Sequence, residues 1–579
     1  MNAFRRLLLL PTLIVALVLA GLPYPFSTPQ LAAQSTGALP AGLTVLNLAP
    51  PGGAAAPQAS ALELQTIRDR LLQIRNRMAA QEPQVSQGPS AVPLVAGPQA
   101  LVGGTKPVTL SLVGAESAID IDGIGPAPAN ENLDPIASDT PGGGCGAFVT
   151  DVAELVAVNN GAAAFAAGNC AHVEASGNSG FNWSPRPVTP GPLATPIICC
   201  DHDVMYDDST RVVFHSSLYT NGDLSKTAVG LDVYQHMFSD TAPSCTYFLG
   251  PVTGTIDFPH LGLTKNFLYI SVNFVSGGSQ TAFMLRYPKT ALANCAGSST
   301  LSTTGNFTSW AGSIEGQKVW RPSRGTNIKH TMIWAHRINN TTLRIFKWDD
   351  TLPAANNFTR NIPFSSSAAP GTNCAGGSNN TGYITAINTS LIGFNFEGAV
   401  TDDKVYFYWQ AGPAASPMVQ AHIDGVVIPL TGGASVPTVE FPVAYPHIFN
   451  SAYCMGFPEV TANKLGDLGM VLAWGGANAG GGEPVRLIVG VSDEFTGLGL
   501  FDLVKEPVSL QFADRNPAVN DRYGDYSSNH PSEPCEKWFV GTGYFLYTHG
   551  EVEQLFFEYG RHKHYRCWSD YSNILGNNE

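Results

Sequence analysis

Short polar turns followed by alternating apolar and polar strand positions recur along the chain from about residue 108 onward. Seven such units are present: Val156–Ala167, Val204–Ser216, Leu263–Phe274, Gly325–His336, Val400–Trp409, Val460–Trp474 and Asn529–Tyr544. Their turns lie roughly 50 to 75 residues apart, which is the length of a four-stranded blade with one long loop. The repeat therefore predicts an all-β domain over 108–579, a seven-bladed β-propeller, with six or eight blades as alternatives. Residues Val108–Ile121 are expected to supply a strand that closes the ring against Trp538–Phe557.

The first 33 residues have the pattern of a secretory signal. Arg5 and Arg6 precede the apolar run Leu7–Leu22, and small residues near Ala32–Ala33 offer a cleavage site. The run is interrupted by Pro11 and is shorter than the ~20 residues that a spanning helix needs. We therefore expect a secreted, extracellular or periplasmic protein without an integral membrane span after cleavage, with an uncleaved anchor as the alternative.

Residues 34–107 are rich in Ala, Pro, Gly, Ser and Gln, a composition that predicts a flexible linker. One amphipathic helix is expected within it, over 60–81, where Ser60 and Glu63 form a capping box. Its apolar positions recur at helical spacing: Leu64, Ile67, Leu71, Ile74 and Met78. The helix either packs on its own domain, stays marginal within the linker, or drives oligomerisation or cell-surface attachment.

Composition narrows the partners and the compartment. Charged residues make up only 13% of the chain and the net charge is −14, so we expect no nucleic-acid partner. The ten cysteines form an even number, which in an exported chain predicts disulfides. The expected pairs are Cys145–Cys170, Cys245–Cys295, Cys374–Cys454 and Cys535–Cys567. This leaves Cys199 and Cys200, which either form a vicinal disulfide with each other or are each bonded to a different cysteine.

Several stretches resemble a known family. Ser176–Trp183 (SGNSGFNW) fits the Asp-box turn S-x-D-x-G-x-T-W, in which Trp183 is expected to pin the turn between blades. Cys199–Tyr206, Asp257–Phe274 and Arg522–Ser527 (RYGDYS) are similar to the C-C-D-Q and R-W-G-D-Y-S motifs of secreted bacterial sialidase-like β-propellers. His202 replaces the Gln of that family and Tyr523 its Trp.

The resemblance covers about Gly144–Cys567 and implies the fold, but the family is mostly uncharacterised and a fold does not define a function. Working sialidases bind a carboxylate with three arginines and use a Tyr/Glu nucleophile pair with an Asp acid. No spacing of arginines in this chain marks such a triad, so sialidase activity is not predicted.

Candidate catalytic residues lie where blades begin. Asp201 and Asp203 are two apart on a strand, so both face one side and His202 the other. Such a carboxylate pair is suited to acid–base chemistry on a glycoside or to structural Ca²⁺ binding. The alternative is a turn in which the Asp side chains cap backbone N–H groups. No other cofactor is expected.

Further candidates are His260 and His447, each after a proline, which could line one funnel as a base or a metal ligand. Arg522, Asp525 and Tyr526 are expected on the channel side if the family register holds. Single histidines are more often structural, and Arg522–Asp525 is more often an ion pair between blades.

The favoured function is a binding module for glycans or cell-surface proteins, with Tyr406–Trp409 and Trp334 as aromatic candidates for stacking on sugar rings. The first alternative is a glycan-active hydrolase or lyase with carboxylate and histidine chemistry at the channel mouth. A structural matrix protein is the second. An enzyme predicts that Asp201 or Asp203, His260 or His447, and Arg522 converge in one pocket.

Overall fold

The computed structural model describes residues 47–48, 119–122 and most of 155–561, with longer gaps at 298–307, 313–319, 364–395, 477–482 and 506–526. The expected signal, the expected helix over 60–81 and nearly all of the expected linker lie outside the described residues. Within the described ranges, no helix is long and apolar enough to cross a membrane.

Seven antiparallel sheets form the blades of the ring. The chain first supplies two short strands, β1 (Asn47–Leu48) and β2 (Ile119–Asp122). Blade 1 contains β3 (Leu155–Asn159), β4 (Ala164–Gly168), β5 (His172–Ser176) and β6 (Ser184–Pro185). Blade 2 contains β7 (Ile197–Asp207), β8 (Val212–Thr220), β9 (Lys226–Tyr234) and β10 (Cys245–Thr253). Blade 3 contains β11 (Thr255–Leu263), β12 (Phe267–Ser276), β13 (Ser279–Pro288) and β14 (Thr308–Gly312), with the helical turn α1 (Lys289–Ala293) after β13.

The remaining four blades follow in chain order. Blade 4 contains β15 (Thr331–Asn339), β16 (Thr342–Asp349) and β17 (Phe358–Pro363). Blade 5 contains β18 (Glu397–Val400), β19 (Lys404–Ala411), β20 (His422–Thr431), β21 (Thr438–Val439) and β22 (His447–Ile448). Blade 6 contains β23 (Cys454–Ala462), β24 (Leu468–Gly476), β25 (Glu483–Ser492) and β26 (Asp502–Lys505). Blade 7 contains β27 (Asn529–Pro531), β28 (Phe539–Leu546) and β29 (Val552–Arg561).

The first strands of the blades line the centre of the ring, where β3 contacts β7, β7 contacts β11, and β23 contacts both β18 and β27. In blade 4 the extended segment 320–325 takes this place. The Arg324 N–H donates to Gly398 O at 2.8 Å, and the Ser323 N–H donates to Ile333 O at 3.1 Å. Each predicted turn-and-strand unit corresponds to the hairpin between the first two strands of a blade. The prediction of a seven-bladed β-propeller is confirmed.

An N-terminal strand completes the last blade. Ile119 of β2 pairs with Arg561 of β29, and Asp122 pairs with Glu558, both antiparallel. Because β2 precedes blade 1 in the chain while β29 ends blade 7, this pairing closes the ring with backbone hydrogen bonds. In addition, β1 pairs with Phe248 and Tyr247 of β10 at the outer edge of blade 2. β1 belongs to the segment 34–107, which was expected to be a linker.

The core lies between blades, so strands are buried on both faces. All nine residues of β8 are buried. On one side, Phe214 and Leu231 pack with Ile270 and Leu285 of blade 3. Burying each such side chain contributes about 1.5–3 kcal/mol relative to leaving it exposed. This two-sided burial explains the long apolar runs in the sequence.

One of the expected disulfides joins blades 2 and 3. Cys245, at the start of β10, is bonded to Cys295, just after α1, with 5.8 Å between the Cα atoms. Cys454 is disulfide-bonded as well. Each of the other expected pairs includes at least one cysteine that lies outside the described residues. The backbone of Cys199 and Cys200 is described, but their side chains are not. These pairs therefore stay predictions.

Candidate functional site

Three first strands share a bulge that turns side chains toward the centre of the ring. The bulge residues are Asp201 in β7, Phe258 in β11 and Phe457 in β23, with φ values of 58°, 58° and 54°. At each of them the register of the ladder to the second strand shifts. Bulges of this kind re-aim side chains and recur next to functional sites. Two residues after them come Asp203, His260 and Glu459.

These three residues meet two arginines of blade 4 and one glutamate of blade 5. We call this set the channel cluster: Asp203, His260, Arg321, Arg324, Glu397 and Glu459. Arg324 Nη2 donates to both carboxylate oxygens of Asp203 at 2.9 Å. Arg321 Nη1 donates to Glu459 Oε1 at 2.6 Å and to Glu397 Oε1. His260 Nδ1 lies 3.6 Å from Asp203 Oδ2.

All six side chains of the channel cluster are buried, and burial sets their protonation. Burial alone would raise the pKa of Asp203, but Arg324, His260 and the Leu261 N–H, at 2.8 Å, hold it well below its usual range. Burial and the nearby Arg321 lower the pKa of His260 to about 3, so its ring is neutral at pH 7. Burial also raises the pKa of Glu397, with Glu459 adding to the effect.

The carboxylates of Asp201 and Asp203 both accept hydrogen bonds from blade 3. The Phe258 N–H donates to Asp201 Oδ2 at 3.1 Å, as the Leu261 N–H does to Asp203. Because a guanidinium already occupies both oxygens of Asp203, the pair does not fit a Ca²⁺ site, which needs several free oxygen ligands. Within the described part of the chain, no group of three or more His, Cys, Asp or Glu residues is arranged for a metal ion.

His202 makes contacts within blade 2 instead. Its Nδ1 lies 2.9 Å from Nε2 of His215, whose Nδ1 lies 3.3 Å from Asp232 Oδ2. A carboxylate can only accept, so His215 Nδ1 donates to Asp232 and, in the neutral ring, its Nε2 accepts from His202. His202 and His215 are therefore held in fixed tautomers between blades 1 and 2.

The structure does not bring His447 to the channel cluster. His447 lies on β22, which pairs with β20 rather than with a first strand. Its Nδ1 donates to Asp424 Oδ1 at 2.6 Å, and His422 Nε2 lies 3.3 Å from the same oxygen. We call His422, Asp424 and His447 the blade-5 cluster. The sequence-based expectation that His260 and His447 line one funnel is thus replaced by two separate sites.

The other candidates are only partly described. Arg522, Asp525 and Tyr526 lie outside the described residues, as does the central part of the Asp-box turn. Trp183, at the end of that turn, packs edge-on against Phe556 of blade 7 with ring centroids 5.4 Å apart. The aromatic candidates for sugar stacking, Tyr406–Trp409 and Trp334, are buried in the core and cannot contact a ligand.

A cavity of about 330 Å³ opens where β7, β11 and β23 end. Arg324 and His530 reach it from the channel cluster side, and Tyr206, Lys265 and Glu533 lie among its lining residues. Its volume is at the lower end of the range of about 300–1,000 Å³ typical of small-ligand sites. The ring of blades therefore leaves a recess with both polar and apolar lining directly beside the channel cluster.

The charges of the cavity are mostly balanced within the protein. Lys289 pairs with Asp207 at 2.7 Å, and Lys329 pairs with Asp402 at 3.2 Å. Burial, together with Asp208, raises the pKa of the half-buried Tyr206 to about 12, so its hydroxyl stays protonated and can donate. The recess thus offers the neutral Tyr206 hydroxyl and an aromatic ring within a lining that also contains charged side chains.

Sequence reasoning missed Arg321, Arg324, Glu397, Glu459 and Glu533. One signal was available for Glu459, because Phe457-Pro458-Glu459 repeats the spacing of Phe258-Pro259-His260. The arginines carry no local signal of this kind. They are recognised only once blade 4 is placed opposite blades 2 and 6.

Comparisons with known proteins give distant similarities to solved structures. No family model matches the chain, and no curated protein matches it. Among solved structures, the polysaccharide lyase Uly1 is similar, at 10% identity over 69% of this chain and 88% of that chain, with a TM-score of 0.35. The SapL1 lectin in complex with alpha methyl fucoside (9% identity, 58% and 95% covered, TM-score 0.29) and the Trypanosoma rangeli sialidase (10%, 60% and 55%, TM-score 0.28) are similar as well. At such identities and TM-scores, these likenesses carry no argument about activity.

Proposed function

We propose that the protein is an exported glycan-binding module that holds a short, neutral sugar segment in the cavity beside the channel cluster. The observation that carries this proposal is the recess of about 330 Å³ lined by polar and apolar side chains of several blades. Tyr206 offers an apolar ring face with a hydroxyl donor, and Ser209, Thr264 and Thr461 line the same space. Sugar rings need this combination of one stacking surface and several hydrogen-bonding groups.

A hydrolase or lyase is the alternative, and the approach of His260 to Asp203 is the feature that favours it. Three features support binding over catalysis. Both side chains are buried, Asp203 is neutralised by Arg324, and the pKa of His260, about 3, makes its neutral ring a weak base and keeps it from acting as an imidazolium acid at pH 7. A general acid or base works best when its pKa lies near the working pH.

Export is part of the proposal and is supported by the N-terminal signal pattern and by the Cys245–Cys295 disulfide. Oligomer formation through residues 60–81 and attachment to a cell surface remain proposals on the sequence pattern alone.

The test is a glycan array with the purified full-length chain, followed by product analysis of every bound glycan. The Tyr206→Ala variant should bind its best neutral oligosaccharide about 10-fold more weakly, because loss of an aromatic contact costs about 0.5–1.5 kcal/mol beyond the buried area. Tyr445→Ala is the matched control, since Tyr445 is similarly half-buried but does not line the cavity. Equal binding by both variants would contradict the assignment of the cavity, and cleaved products would favour the enzyme.

A further inference from the structure

Several polar side chains that line the cavity are buried and carry an atom without a hydrogen-bond partner among the residues that the structure describes. These atoms are Ser323 Oγ, Arg324 Nη1, Thr461 Oγ1 and His530 Nε2. All four residues are at most 5% exposed. Buried polar groups in native proteins are nearly always hydrogen-bonded. Unpaired groups that gather at one cavity therefore indicate a partner that is not part of the chain.

Ser323 Oγ packs against Gly398 of β18, so it is set apart from the other three groups. Arg324 is fixed by its second nitrogen, because Nη2 donates to both carboxylate oxygens of Asp203 at 2.9 Å. Its Nη1 lies 3.8 Å from Glu459 Oε2, which is beyond hydrogen-bond distance. Since Asp203 and Glu459 balance the charge of the guanidinium, Nη1 is suited to a neutral acceptor such as a hydroxyl oxygen.

Thr461 lies on β23 two residues after Glu459, so both side chains point to the same face of the strand. Its hydroxyl group can donate and accept. The equally buried Thr227 provides a contrast, because its Oγ1 accepts from the Ile256 N–H at 2.6 Å and donates to Gly254 O at 3.2 Å. The hydroxyl of Thr227 thus serves the fold, whereas that of Thr461 adds no such bond within the described part of the chain.

His530 lies on β27, which is anchored on both sides. Asn529 Nδ2 donates to Gly469 O of blade 6 at 2.7 Å, and Ser528 Oγ accepts from a backbone N–H of blade 1 at 2.8 Å. Burial and the nearby Arg324 lower the pKa of His530 to about 3, so its ring is neutral at pH 7. In a neutral ring, Nε2 either donates or accepts according to the tautomer.

We propose that Arg324, Thr461 and His530 form the hydroxyl-binding end of the cavity, where each of them contacts a hydroxyl group of the bound sugar. The three contacts come from blades 4, 6 and 7. Thr461 and His530 are specificity-determining residues, because a sugar that lacks the contacted hydroxyl leaves a buried group unpaired. This inference rests on the proposed function, since it assigns contacts within the same site.

The experiment is calorimetric titration of the full-length protein. The probes are the tightest binder among short cello-, xylo-, manno-, galacto- and arabino-oligosaccharides and the monodeoxy analogues of that sugar. Thr461→Val and His530→Phe should each bind the parent sugar about 5-fold more weakly, because one hydrogen bond is lost. For each variant, one monodeoxy analogue should bind as well as it binds to wild type, since it lacks the hydroxyl that the variant no longer contacts.

Thr227→Val is the matched control, because it makes the same change at a buried hydroxyl outside the cavity lining. This variant should bind the parent sugar like wild type but unfold at a lower guanidinium concentration, since it removes hydrogen bonds of the fold. Thr461→Val should show the reverse, with weaker binding and no decrease in the denaturation midpoint.

Three results would overturn the inference. Parent-sugar binding that is unchanged in Thr461→Val and His530→Phe, or monodeoxy analogues that all bind wild type as tightly as the parent, would assign these groups to ordered water and leave the proposed function intact. No binding of any oligosaccharide to wild type would refute the proposed function and this inference with it. A denaturation midpoint of Thr461→Val as low as that of Thr227→Val would show, without any ligand, that the Thr461 hydroxyl serves the fold.

Discussion

Asp203 and Asp424 are both buried aspartates next to histidine, but they serve different parts of the architecture. Asp203 is bonded by Arg324 from two blades away, whereas Asp424 is bonded by two histidines of its own blade. The channel cluster therefore links blades 2 to 6 through charge, and the blade-5 cluster links strands within one sheet. The difference teaches that the candidate catalytic groups at the centre of this ring are already used for cohesion between blades.

The largest expected effect is the removal of Arg324. The Arg324→Met variant leaves Asp203 charged, buried and without its guanidinium, which should cost about 3–5 kcal/mol of unfolding free energy. Guanidinium denaturation measures this loss. Lys329→Met is the matched control, because it removes a nearby positive charge from an exposed ion pair and should cost under about 1 kcal/mol. Similar losses in both variants would mean that the channel cluster does not hold blades together.

The second expected effect is a change in pH dependence at His260. Folding lowers its pKa from 6.5 to about 3, so in this window the unfolded chain binds a proton that the native protein does not. This histidine therefore reduces stability by about 1.4 kcal/mol for each pH unit of acidification between 6.5 and 3. The His260→Gln variant should lack that contribution. The difference in unfolding free energy between wild type and this variant should therefore change by about 3 kcal/mol between pH 6 and pH 4. If the unfolding free energies of wild type and His260→Gln changed with pH in parallel, His260 would be protonated in the folded state over this pH range.

The smallest expected effects belong to the blade-5 cluster. Asp424→Asn removes the charge that both histidines contact and should cost about 1–3 kcal/mol, measured by thermal and chemical denaturation. His447→Gln keeps a donor at a partly exposed position and should cost under about 1 kcal/mol. A cost for His447→Gln as large as that for Arg324→Met would remove the contrast between the two clusters.

The sequence was sufficient for the repeat and for much of the local geometry. Alternating strands and polar turns predicted seven hairpins, because side-chain period and turn chemistry act over a few residues. Cysteine order predicted the Cys245–Cys295 bond, which joins neighbouring blades. The same local reasoning placed His260 and His447 together, because it could not distinguish a first strand from an outer strand that also follows a proline.

The sequence by itself predicted seven blades, with six or eight as alternatives, and it determined the turn positions and the chemical character of each strand. Only the tertiary structure decided which charges meet, as for Arg324 and Asp203, which are 121 residues apart in the chain. Their contact depends on the arrangement of the ring, which brings blade 4 close to blade 2 at its centre, and on the bulge at Asp201 that aims side chains inward. Long-range ion pairs produce no periodic pattern in the sequence, because the residues around each partner follow only the strand and turn pattern of their own blade.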